Sequence, residues 1–264
     1  MIINKETIAQ LAKENRRLDG RTLNEFRQPI IIQTDISWTA EGSVRVQIGE
    51  TVVMAGVKLS LEKPYNDTSD EGGIMINAEL SPLSSREFEV GPPGIKAVEL
   101  ARVVDRGIRE SKAIDLKALC IEPGVKAWFV TVDIVSINDA GNLLDTAGLA
   151  ALAALKSARF PMVDPETGAI DYKQKTDKPL PLTKEPLPIT VYQINGSLLV
   201  DPSQQEENAY EARLTVASDS DGTISALQKG GVAPLSIEQI GNMVDLALEK
   251  ASFLRKELTK ALKK

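Results

Sequence analysis

GPPGIKAVELARVVDRGIRES, residues 91–111, runs from a Gly-Pro-Pro-Gly break into an amphipathic helix. Proline beside glycine interrupts regular structure. Beyond Gly94 the apolar residues recur at helical spacing, about 100° apart per residue. Leu100, Val104 and Ile108 fall on one side, with Ala101 and Val103 at its margins. Arg102, Arg106 and Arg109 fall on the opposite side, flanked by Glu99 and Asp105. Such a face either presents planar donors to phosphates or is a solvated surface laced with ion pairs. From the stripe alone the solvated face is the expectation, because charged faces are usually only faces.

Upstream of this helix the pattern has period two. Ile30–Ile36, Ser43–Ile48 and Thr51–Leu61 are predicted strands of an antiparallel meander, with turns at Glu41-Gly42 and Gly49-Glu50. Lys63–Gly73 is an acidic loop, Ile74–Leu80 a further strand, and Ser81–Gly94 an irregular approach. Asn4–Glu14 is a predicted short helix with Asn4 as its candidate N-cap and Thr7 a poorer one. Between them lies the polar segment Arg16–Pro29. Its Arg16, Arg17, Arg21 and Arg27 either bind phosphate or pin the segment to acidic residues of the body, and pinning is the expectation.

Downstream, Ile114–Ile121 is a short element and Ala127–Ile137 a strand rich in β-branched and aromatic residues. A second helix spans Asn142–Arg159, where Ala147, Gly148, Ala151 and Ala154 predict close packing against a sheet or another helix. Phe160–Pro188 reads mainly as a connector. Ile189–Ile194 and Ser197–Val200 form a hairpin about Asn195-Gly196, and Ala212–Ser218 and Thr223–Gln228 another about Asp221-Gly222. Ser236–Leu262 closes the chain as a long helix capped by Ser236. Strand groups alternating with helices indicate an α+β architecture of two related strand-and-helix halves. The expected division of the single unit 1–264 is a first lobe 25–160, a connector 161–188 and a second lobe 189–264 that includes the terminal helix.

Composition narrows the chemistry. The chain has no histidine, which removes Ser-His-Asp and Cys-His catalysis and His-liganded metals. Cys120 is the single cysteine, so no intrachain disulfide forms, and a reducing intracellular setting is expected. No apolar run approaches the length of a membrane span, and the N-terminus turns charged too early for a signal peptide. Aromatics are 4 % and the net charge is −6, so nucleic acid would be met through a local patch or with another subunit's help. Two further segments invite a chemical reading. Asn138–Asp145, NDAGNLLD, opens a helix whose N-terminus suits an anion, yet its first turn offers leucines and a negative Asp145. Asp201–Arg213, DPSQQEENAYEAR, gathers Asp201, Glu206, Glu207 and Glu211, but Arg213 would neutralise one of them. A packed helix start and structural or solvated carboxylates are the expected readings. There is no Walker loop, dinucleotide fingerprint or zinc pattern.

Several blocks carry a resemblance over nearly the whole chain. LDGR (Leu18–Arg21) with Phe26-Arg27, GETVVMAGVK (Gly49–Lys58), FEVGPPG (Phe88–Gly94), ELARVVDRGIRESKAIDL (Glu99–Leu116) and DAGNLLDTAGLAAL (Asp139–Leu152) resemble RNase PH-type proteins. Within them the chain is most similar to the non-catalytic ring subunit of the archaeal exosome, to which VDPSQQEENAYEARLTVA (Val200–Ala217) and GGVAPLSIEQI also correspond. The resemblance implies an RNase PH-like (ribosomal protein S5 domain 2-like) fold. Catalytic members degrade RNA from its 3′ end with inorganic phosphate and release nucleoside diphosphates. This sequence departs from them at three places. Asn142 and Leu143 follow Gly141 where catalytic members carry Ser/Thr-Arg. Glu207 and Arg213 stand at the two positions of an acidic pair, and Ile95-Lys96 stands where an arginine pair would be. The resemblance therefore implies no catalytic residue, metal or cofactor in this chain. It implies a cytoplasmic hetero-hexameric ring with a catalytic RNase PH-type subunit, RNA-binding cap subunits and RNA as partners, and no membrane. Arg102 and Arg106 are the implied RNA contacts; Arg109 shares their face. The alternatives are an active phosphorolytic exoribonuclease and a scaffold that binds only protein.

Overall fold

The computed structural model describes residues 5–164 and 169–263, so the candidate cap Asn4 lies outside the described residues. Strands β1 (Ile30–Thr34), β2 (Gly42–Ile48) and β3 (Thr51–Glu62) form the expected antiparallel meander. Beyond β3 the sheet continues with β6 (Lys126–Asn138) and ends at β4 (Gly73–Leu80), in the order β1-β2-β3-β6-β4. The short β5 (Cys120–Glu122) also pairs with β6. Helix α2 (Ile95–Glu110) connects β4 to the parallel strand β6. Parallel neighbours require such a crossover, and the crossover helix must lie on the sheet. It buries Leu100, Val103, Val104 and Ile108 and leaves its three arginines exposed.

Helix α3 (Leu143–Ser157) is buried on all sides. It packs on β2 and β3 and, from its other side, on β9 (Leu187–Ile194) of a second, four-stranded sheet. Small residues permit this double contact. A Cβ on Gly148 would collide with Pro188, and one on Gly42 with the Ala154 carbonyl. The second sheet runs β10-β9-β11-β12, all antiparallel, with β10 (Ser197–Val200), β11 (Ala212–Ser218) and β12 (Ile224–Gly231). Helix α5 (Ile237–Leu262) packs on β9 and β11; Ser236 and Gln239 close a capping box at its start. Helix α1 (Lys5–Lys13) covers β9, where Ile8, Ala12, Leu23 and Tyr192 make a small second core.

Phe160–Pro188 is more than a connector. Strands β7 (Arg159–Val163) and β8 (Ile170–Pro179) pair there as a separate antiparallel hairpin. Almost every residue of β8 is exposed, so no apolar alternation marks the strand. The carboxylate-rich segment also contains a short helix, α4 (Gln204–Glu207), with Ser203 and Glu206 forming a capping box.

Candidate functional site

Helix α2 sorts its charges by partner. Glu99 turns toward Arg213 of β11, with Oε1 accepting from Nη2 at 2.6 Å. Asp105 takes Arg109 through two hydrogen bonds of 2.7 and 3.1 Å, and Arg109 also donates to the Ile74 carbonyl. Both acidic flanks of the stripe are thereby committed to other arginines. Arg106 donates to the neutral amide oxygen of Gln228 at 2.9 Å. Arg102 has no hydrogen-bond or ion-pair partner among the described residues. Of the three arginines, two keep an uncancelled charge on the exposed face.

The three positions where the sequence departs from catalytic RNase PH-type chains come together in one cleft of about 290 Å³. Lys96, Leu143, Glu207 and Arg213 line it, with Asp139 and Tyr210. None of this convergence is visible in sequence spacing. At its inner end Asn142 occupies a left-handed conformation (φ 60°) before α3. Its backbone N–H donates to Glu207 Oε1 at 2.8 Å, and Tyr192 donates to the same oxygen at 3.2 Å. A helix N-terminus attracts an anion, and here the anion is the chain's own carboxylate. Burial raises the pKa values of both Glu207 and Asp139. The cations of the cleft are matched as well: Lys96 pairs with Glu87 at 2.8 Å and Arg213 with Glu99.

Asp145 does not face this anion position. It is fully buried, with Oδ1 accepting the Thr190 N–H at 2.8 Å and Oδ2 without a partner. Desolvation pushes its pKa to about 8. The expectation that Asp145 repels a phosphate at the helix start is therefore replaced: the repelling carboxylate is Glu207. The packed helix start itself is as expected. Gly141 (φ 100°) lies so close to Pro202 and Ser203 that a Cβ there would collide with their backbone.

The N-terminal arginines pin the arm to the body. Arg17 is buried and grips Glu206 through Nε at 2.9 Å and Nη2 at 2.5 Å, and also donates to the Val200 and Asp201 carbonyls. Arg21 and Arg27 converge on the buried Asp201, and Arg27 further donates to the carbonyls of Ala140 and Gly141. Arg16 is exposed beside Glu14, 3.6 Å away. Asp201, Glu206 and Glu207 are thus bonded within the chain and Glu211 is exposed, while Arg213 neutralises Glu99 of α2 rather than one of its sequence neighbours. Among the described residues no histidine, cysteine and carboxylate group is arranged to hold a metal ion, and no helix is long and apolar enough to cross a membrane.

Known proteins share this arrangement of two sheets around buried helices. The 3′ exoribonuclease family, RNase PH, matches with its domain 1 over residues 25–161 and its domain 2 over residues 184–250. The chain belongs to the RNase PH family. A relative from Methanocella arvoryzae, named exosome complex component Rrp42, is 45 % identical over 97 % of this chain and 95 % of its own length. A chain of the Archaeoglobus fulgidus exosome with RNA bound to the active site superposes with a TM-score of 0.87 at 40 % identity, covering 96 % of each chain. A chain of an archaeal exosome core superposes with a TM-score of 0.83 at 37 % identity, covering 97 % of this chain and 96 % of that one. The RNase PH fold expected from the motif blocks is the fold observed.

Proposed function

We propose that this chain is a ring subunit of an archaeal-type exosome that performs no phosphorolysis itself. It positions RNA, through Arg102 and Arg106, for 3′-to-5′ degradation by a catalytic RNase PH-type subunit beside it. Membership of an exosome ring is supported by the relatives and by the two exosome structures that this chain resembles over nearly its full length. In this reading the ring works in the cytoplasm and carries RNA-binding cap subunits.

One observation carries the non-catalytic assignment. The place where an attacking phosphate would meet the α3 N-terminus holds the Glu207 carboxylate, bonded to the Asn142 N–H. Phosphoryl transfer needs cationic groups free to clamp the anion. Lys96 and Arg213 are both neutralised, and Asp139 and Glu207 add negative charge at the same cleft. By contrast, the charges of Arg102 and Arg106 are uncancelled by any carboxylate among the described residues. Contacts of that kind hold a phosphate backbone without reading its sequence.

Two assays test this. The isolated chain, incubated with single-stranded RNA and inorganic phosphate, should release no nucleoside diphosphate, whereas the assembled ring should; robust release by the isolated chain refutes the non-catalytic reading. A ring carrying R102E and R106E should assemble normally and bind RNA more weakly, with a salt dependence shallower by about 1.4 in log–log slope for two lost phosphate contacts. Unchanged affinity and slope in that ring would remove the positioning role.

A further inference from the structure

We propose that Gln228 of β12 is a positioning residue for RNA, acting through Arg106; this rests on the reading of Arg102 and Arg106 as phosphate contacts. Arg106 is an exposed side chain on a long flexible stem, and an untethered guanidinium loses rotamer freedom when it grips a phosphate. Its Nη1 is instead already held at 2.9 Å by Gln228 Oε1, from a strand 122 residues away in the chain. The acceptor is neutral. Arg109 and Arg213 each bind a carboxylate and have their charge offset, while Arg106 is oriented with its charge intact. Pre-ordering a side chain without neutralising it lowers the entropic cost of a phosphate contact and keeps its charge.

The backbone around this pair is fixed too. Gly107, the next residue, lets α2 approach β11 so closely that a Cβ there would lie 3.2 Å from the Ala217 Cβ. The Ser225 hydroxyl of β12 lies 3.3 Å from the Gly107 carbonyl and 3.2 Å from the Ala217 carbonyl, and its one hydrogen serves one of them at a time. Gln228 is therefore the side chain of β12 that holds Arg106 itself. The chemistry of the pair also settles which way the amide points. Arginine has donors only, so the amide oxygen must face it, and Nε2 with its two hydrogens is left for another acceptor.

The test uses the assembled ring and a fluorescein-labelled oligo(A), with anisotropy followed against salt concentration. Q228L removes the acceptor at similar volume. It should weaken binding about three- to tenfold, the scale of one typical net hydrogen bond, while leaving the salt slope and the thermal midpoint unchanged. In an R106A background Q228L should have no effect, because its route to RNA is gone. Q228E converts the pair to the Arg109–Asp105 type and should lower both affinity and salt slope, the slope by about 0.7 for one phosphate contact. If R106A weakens binding and Q228L does not, or if Q228L acts equally in the R106A background, this inference falls while the arginine row stands. If R106A itself changes nothing, Arg106 is no phosphate contact and the inference falls with it.

Discussion

Replacing Asp145 by Asn should make the chain more stable at neutral and alkaline pH. Asp145 is wholly enclosed in α3, and its Oδ2 and the nearby Asn142 Oδ1 are both buried acceptors without a donor. A proton on the carboxyl relieves this, which agrees with a pKa pushed up by desolvation to about 8 from 3.8. The native chain then binds one more proton than the unfolded chain between those two values. The stability that this proton contributes is fully present below pH 3.8 and is lost as pH rises towards 8. The loss is about 1.4 kcal/mol per pH unit, or at most about 6 kcal/mol across the interval, with no solvent screening to discount it at a fully buried group. Asn keeps an oxygen for the Thr190 N–H and places a permanent donor where the proton was. Urea unfolding at about pH 5, 6.5, 8 and 9.5 should show the variant gaining on the native chain by about 1.4 kcal/mol per pH unit until the native pKa is passed, then levelling. Parallel profiles for the two proteins would refute the argument, since they require Asp145 to titrate alike when folded and unfolded.

Three other substitutions probe the scaffold. D201A leaves the guanidiniums of Arg21 and Arg27 and the Asn142 amide without their shared acceptor; it should cost about 3–5 kcal/mol in denaturant unfolding, the range for breaking a buried ion pair, and native-like stability would show the cluster to be dispensable. G148A drives a methyl group into Pro188 at the contact of α3 with β9. It should lower stability by about 1–3 kcal/mol through overpacking, and a neutral effect would mean that this contact is loosely packed. S236A removes the side chain that accepts from the Gln239 N–H at 3.1 Å. A loss of about 1 kcal/mol, with faster amide exchange confined to the first turn of α5, is the expected result; unchanged exchange there would show that the cap contributes nothing.

Much of the fold was legible because local signals agreed with the tertiary outcome. The meander β1-β2-β3 follows from alternation and tight turns, and α2 from its apolar stripe. The β7–β8 hairpin was not legible: its second strand has little core to face, so period-two patterning never developed. At the candidate site the arginine face was readable from residue types, and the departures at Asn142-Leu143, Glu207, Arg213 and Ile95-Lys96 from the resemblance to RNase PH-type chains. The partners were not. Glu99 and Arg213 are 114 residues apart, and Arg106 and Gln228 are 122 apart. No periodicity links such pairs, because they meet only when the two sheets close on α2 and α3.

By itself the sequence determined that α2 carries three arginines on one face, that the chain lacks histidine chemistry, and that its motif blocks are of RNase PH type. Those properties are local: they depend on residue identity and on spacing within a few turns. Tertiary structure decided which groups from other elements meet that face. The Arg109–Asp105 pair is local to the helix, but Glu99 is drawn to Arg213 of the other sheet, Arg106 is held by a neutral amide there, and Arg102 has no partner among the described residues. It also decided that Glu207 fills the anion position at α3. Electrostatics acts through space and falls with distance and solvent, so the charge available to a ligand follows from which side chains the fold brings within a few ångströms of one another.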